Sequence, residues 1–123
     1  RQPGQSEVTH VIGDLEGRRA IMIDDIIDTG GTTVGAAESI LDCGATEVYA
    51  AATHPVFSGP AYERLEESPI KEVVVTDTLP LKSGKPRNKI NVLTIAPLLA
   101  NTIRNVFFED SVSEVFMGEN QLF

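Results

Sequence analysis

Three carboxylates, Asp24, Asp25 and Asp28, fall within five positions and run directly into Thr29-Gly30-Gly31-Thr32-Thr33. An ionised carboxylate accepts hydrogen bonds from vicinal sugar hydroxyls, and it can hold Mg²⁺ directly or through water. A glycine pair allows positive φ and lets a ligand approach the backbone closely, so that successive N–H groups converge on an anion. Acids beside such a cradle suit a ligand that carries a phosphate together with hydroxyls or a metal, and a sugar phosphate has both. Two other phosphate-binding patterns are excluded: the chain has no G-x-x-x-x-G-K-[ST] and no G-x-G-x-x-G.

The residues on either side must position this group. Arg19–Asp24 is apolar through Ala20-Ile21-Met22-Ile23 and reads as a buried strand. Asp24 and Asp25 are expected at its end, with one facing the carboxyl edge of the sheet, where ligands of open α/β sheets bind. Residues 33–43 read as a helix, with Val34, Ala37, Ile40 and Leu41 on one face. Thr32 or Thr33 is expected to cap its N-terminus and Gly44 its C-terminus. Strand, small-residue turn and helix N-terminus then aim unpaired N–H groups at one place.

Further along, Val8–Ile12 is a short strand candidate. Glu47–Thr53 is a strand whose alanines suggest helices on both faces. Gly59-Pro60 opens a second helix with Pro60 at its first position, Ala61, Tyr62 and Leu65 inward and Glu63, Glu66 and Glu67 outward. Glu72–Thr76 is a third strand. Residues 79–89 form a loop carrying Lys82, Lys85, Arg87 and Lys89, read as a solvated connection in preference to an anion site. Asn91–Ile95 is a fourth strand, and Pro97 opens a third helix with Leu98, Leu99, Ile103 and Phe107 on its inner side. Ser111–Phe116 alternates polar and apolar residues, as a short strand does. The pattern is α/β, a parallel sheet with crossover helices.

A length of 123 residues bounds the chain to one domain or less, and 41% hydrophobic residues suffice for a core. The net charge of −8 argues against a nucleic-acid or anionic-membrane partner. No apolar run is long enough for a membrane span, and the N-terminus does not read as a signal peptide. The single cysteine, Cys43, cannot form an internal disulfide and reads as a packing residue, and a reducing cytoplasm is the expected location.

IMIDDIIDTGGTT, at 21–33, resembles the phosphoribosyl-diphosphate signature of the type I phosphoribosyltransferase superfamily. The form DDIIDTGGT is similar to that of the ribose-phosphate pyrophosphokinases, or phosphoribosyl pyrophosphate synthetases. Three more segments resemble that family: ATHPVFSGPA at 52–61, VVVTDTLPL at 73–81 and SVSEVF at 111–116. The resemblance runs from about Val8 to Phe116. It implies a phosphoribosyltransferase-like fold, with residues 1–123 as an incomplete part of one such domain and matching the C-terminal portion of the family. Residues 1–7 are expected to be mobile and 117–123 to form a loose tail.

The function so implied is transfer of diphosphate from ATP to ribose 5-phosphate with Mg²⁺, in a homo-oligomer, a hexamer. This chain would supply the ribose 5-phosphate site and would be inactive alone. Asp24 and Asp25 match the acids that hold the ribose hydroxyls, and Asp28, Thr29, Gly30, Gly31 and Thr32 match the loop around the 5-phosphate. Ser111 and Ser113 match a regulatory phosphate or ADP site between subunits, with two exposed edge-strand serines as the alternative. Arg1 borders the position expected for the catalytic loop. The alternatives are a phosphoribosyltransferase, for which no hood segment is found, and a non-catalytic pyrophosphokinase-associated regulatory subunit.

Asp28 is the odd member, because its carboxylate repels a phosphate at short range. A hydrogen bond stabilising the loop is the expected role. His10 and His54 have no partner at metal-ligand spacing. Both read as packed or surface residues, His54, at a strand's carboxyl end, being the better placed of the two to line the site, and Ser58 is expected to cap the second helix.

Overall fold

The computed structural model describes residues 13–108. These fall into two compact units divided between Leu93 and Thr94. The expected strand at Val8–Ile12, the tail at Ser111–Phe116, and Arg1, His10, Ser111 and Ser113 lie outside the described residues.

The first unit holds a four-stranded parallel sheet in the order β1-β2-β3-β4. Its elements are β1 (Arg19–Ile27), α1 (Gly31–Asp42), β2 (Glu47–Pro55), α2 (Ala61–Glu67), β3 (Val73–Thr76) and β4 (Ile90–Leu93). Strands in sequential order with crossovers of one hand place both helices on the same face. The core lies between that face and the helices. Val48, Ala50 and Ala52 of β2 and Val73 and Val75 of β3 pack there with Ala37, Tyr62 and Leu65. Phe57 meets Tyr62 edge-on, with ring centroids 5.1 Å apart. Each such large side chain removed from water stabilises the fold by about 1.5–3 kcal/mol.

Within this unit both helices lie on one face of β2, where helices on both faces were expected. Burial alternates along it, with Tyr49 and Ala51 half-buried and Thr53 exposed. On β1 the residues facing the same way, Ile21 and Ile23, are 69% and 83% exposed.

The loop at 79–89 is fastened to α2. Lys85 pairs with Glu63 at 2.6 Å, Asn88 donates to Glu66 at 2.6 Å, Lys89 donates to the Ser68 carbonyl at 2.5 Å, and the Lys82 N–H donates to the Tyr62 hydroxyl at 2.8 Å. The chain thereby returns to pair β4 in parallel with β3 without an intervening helix. β4 ends at Leu93, two residues before the expected Ile95.

The second unit contains α3 (Ala96–Phe107) with a proline in its first turn, as Pro97 suggested. It buries none of its residues, so the expected inner side of Leu98, Leu99, Ile103 and Phe107 is exposed. Cys43, expected to pack, is the exposed C-cap of α1. Gly44 follows it with φ 97°, the left-handed conformation that closes a helix end.

Candidate active site at the end of β1

β1 continues to Ile27, three residues beyond the expected end, because β2 stays paired with it as far as Pro55. Asp24 therefore sits inside the strand, opposite Ala52, and Asp25 follows it. Both are exposed. The Asp24 carboxylate accepts from the Asp25 N–H at 2.8 Å, which fixes one oxygen and leaves the rest of the pair open to a ligand.

The loop after β1 turns on Gly30, whose φ of 74° suits glycine. α1 begins at Gly31, two residues earlier than expected, and Gly30 is its N-cap with no side-chain cap. Thr32 and Thr33 lie inside the first turn and so cannot cap it. The first intrahelical bond runs from the Val34 N–H to the Gly30 carbonyl at 3.0 Å. The N–H groups of Gly31, Thr32 and Thr33 precede it and have no acceptor within the helix.

The carbonyls of the preceding loop, by contrast, are taken up. Four successive carbonyls are bonded to protein donors. Ile27 accepts from the Phe57 N–H and Asp28 from the Ser58 N–H, both at 3.1 Å. Thr29 accepts from Arg64 Nη1 at 2.8 Å, and Gly30 accepts from Val34. A trans peptide holds its N–H opposite its carbonyl, so the bonds at Ile27, Asp28 and Thr29 turn the N–H groups of Asp28, Thr29 and Gly30 away from Phe57, Ser58 and Arg64.

Asp28 thus supports the loop through its backbone carbonyl. Its carboxylate is exposed and makes no hydrogen bond among the described residues, which corrects the expected side-chain bond. Ser58 does not cap α2 with its hydroxyl either. Its N–H goes to Asp28 and its carbonyl accepts from Ala61. Pro60 is the N-cap and α2 starts one residue later than expected.

A hollow of about 270 Å³ runs between β1 and the start of α1, lined by Asp24, Ile27, Thr32, Thr33 and Ala36 among others. Asp24 from the strand and Thr32 and Thr33 from the first helical turn thus border one space, whose other lining residues are apolar. His54 is held elsewhere: its Nδ1 lies 2.9 Å from the Thr78 hydroxyl, which also bonds to the Thr53 carbonyl at 3.0 Å. That network ties β2 to the end of β3, and His54 does not line the hollow.

Sequence reasoning missed two supports. Arg64 comes from α2, 35 positions after Thr29, and no periodicity marks it. Phe57 has φ 44°, unusual for a side chain with a Cβ, and is fully buried. A buried aromatic next to Gly59-Pro60 was the available signal.

The model for the phosphoribosyl synthetase-associated domain matches residues 2–117. The chain belongs to this family. It is 57% identical over 111 residues to the ribose-phosphate pyrophosphokinase of Caldanaerobacter subterraneus subsp. tengcongensis, covering 90% of this chain and 35% of that protein. The ribose-phosphate pyrophosphokinase of Corynebacterium ammoniagenes is 50% identical over 115 residues, 94% of this chain and 36% of that protein. Among solved structures, phosphoribosylpyrophosphate synthetase from Mycobacterium smegmatis superposes with a TM-score of 0.75 at 51% identity, covering 80% of this chain and 33% of that one. This synthetase-associated domain thus spans about a third of the length of the relatives it matches, and it shares its fold with the solved one. Among the described residues no helix is long and apolar enough to cross a membrane, and no group of three or more His, Cys, Asp or Glu side chains is arranged to hold a metal.

Proposed function

We propose that the chain forms the ribose 5-phosphate site of a ribose-phosphate pyrophosphokinase, which transfers the β,γ-diphosphoryl group of ATP to the 1-hydroxyl of the sugar and releases AMP. The observation that carries this reading is the loop after β1, with its carbonyls fastened inward and its helix N-terminus beside two open carboxylates. Thr29, Gly30, Gly31 and Thr32 hold the 5-phosphate through backbone N–H groups and hydroxyls. Asp24 and Asp25 accept from the ribose hydroxyls. Asp28 shapes the loop through its carbonyl, its carboxylate turned to solvent. The sugar is thereby fixed with its reacting hydroxyl in one orientation, which lowers the entropic part of the barrier.

Mg²⁺ fits this donor set. Asp24 and Asp25 offer the hard oxygen ligands it takes. When bound, Mg²⁺ neutralises charge on the diphosphate. The reading includes a cytoplasmic, homo-oligomeric enzyme with ATP bound by parts of the protein outside this chain, and a regulatory anion site at Ser111 and Ser113.

The test replaces the matching segment of the Caldanaerobacter enzyme with this chain and follows AMP release from ATP and ribose 5-phosphate. The chimera is expected to turn over with Mg²⁺, and the 123-residue chain alone is expected to release no AMP. A folded chimera that binds ATP but not ribose 5-phosphate would defeat the assignment.

A further inference from the structure

We propose that Arg64 is a positioning residue for phosphate binding: its guanidinium fastens the Thr29 carbonyl and sets one positive charge behind the loop. The inference rests on that loop being the phosphate site, as proposed above. Of the four loop carbonyls bonded on the protein side, three are held by backbone N–H groups and one by a side chain, at Thr29. A backbone N–H is fixed by the strand or helix it belongs to. Arg64 is the member of the set that a substitution can remove without altering the main chain.

The guanidinium lies directly behind the glycine pair. A Cβ built on Gly31 would stand 3.1 Å from Nη1 and 3.8 Å from Cζ of Arg64. A Cβ on Gly30 would stand 3.5 Å from Leu65 Cγ, one residue along the same helix. α2 therefore forms the floor of the loop, and Arg64 is the charged part of that floor. Arg64 is half-buried, so its field at the loop is less screened than that of an exposed cation.

The charge matters because Asp24, Asp25 and Asp28 place three exposed carboxylates around a site meant for a dianion. The net local charge without Arg64 opposes the ligand. A guanidinium is the fitting cation here, being permanently charged and able to direct one N–H at a carbonyl while its planar fork holds position. It acts through the loop and does not touch the reacting atoms.

The experiment titrates the full 123-residue chain with inorganic phosphate and with ribose 5-phosphate in a calorimeter, comparing wild type, Arg64→Lys, Arg64→Met and Arg64→Ala. Thermal melts check folding. Arg64→Met is expected to weaken both ligands by at least tenfold and by the same factor, because the shared phosphate is what the loop holds. Arg64→Lys keeps the charge without the fork and is expected to recover part of the loss. In Arg64→Ala, whose truncation leaves room for it, millimolar guanidinium is expected to restore phosphate binding, and to leave wild type unchanged. Wild-type affinity in Arg64→Met, or a loss confined to ribose 5-phosphate, overturns the proposal. If the Met variant fails to fold, Arg64→Lys decides: an equal drop for both ligands supports the role, and no drop overturns it. Should wild type bind neither anion, the phosphate reading itself falls and the role of Arg64 with it, an outcome distinct from a variant-specific loss.

Discussion

Two loops of this chain invite an anion for opposite reasons. The loop at 79–89 is basic in sequence, with four cationic side chains, whereas the loop after β1 follows three carboxylates. Charge counting favours the first and geometry favours the second. In the basic loop, Lys85 is bonded to Glu63 and Lys89 to the Ser68 carbonyl, so two of its cations fasten it to α2. In the loop after β1, the carbonyls of residues 27–30 are satisfied inward, while the first N–H groups of α1 have no acceptor within the helix. An anion site is made by donors without partners held in fixed directions, and net charge within one segment does not report that.

Gly31→Val is the sharpest way to break the contrast. The added side chain enters the space between the loop and Arg64, where even a Cβ stands 3.1 Å from Nη1. Binding of inorganic phosphate and of ribose 5-phosphate should both fall below calorimetric detection, with the fold retained in circular dichroism. Wild-type phosphate affinity in this variant would show that neither the close fit of the loop nor Arg64 behind it is needed for anion binding.

A smaller and more selective effect is expected from Asp24→Asn with Asp25→Asn. Hydrogen bonds involving a charged partner contribute about 1.5–3 kcal/mol each. Ribose 5-phosphate should therefore weaken by about ten- to a hundredfold for one such bond lost. Inorganic phosphate has no sugar hydroxyls and should bind as in wild type or slightly better, since repulsion is relieved. Equal losses for both ligands would contradict the division of acids to ribose and loop to phosphate.

The basic loop should respond least. Lys85→Gln is expected to leave both affinities within twofold and to lower the melting temperature only slightly, as a solvent-screened pair contributes little. The hydrogen bond from Lys85 holds the Glu63 carboxyl below its ordinary value of 4.5. A carboxyl lowered on folding stabilises the protein above its ordinary value, and that contribution is lost as pH falls through the lowered one. The difference in melting temperature between wild type and Lys85→Gln should accordingly be present at neutral pH and narrow on acidification below about 4.5. A difference that widened in acid would mean the Glu63–Lys85 pair is not its source.

Residue order alone determined much of this protein. The apolar run into Asp24, the small-residue turn and the helical spacing of Val34, Ala37, Ile40 and Leu41 made the parallel α/β class legible, because strand and helix periods are local properties of the chain. The same run marked the candidate site, since close approach of a ligand to the backbone favours glycine. Tertiary structure decided what depended on neighbours distant in sequence. β1 runs to Ile27 because Ile26 and Ile27 pair with His54 and Pro55 of β2. Gly30, in place of a threonine, caps α1 because the loop turns through positive φ before the helix begins. Both helices lie on one face because crossover handedness is a property of the assembled sheet. Arg64 reaches Thr29 only once α2 has docked across 35 positions of chain, and the bond depends on a distance that sequence spacing does not encode.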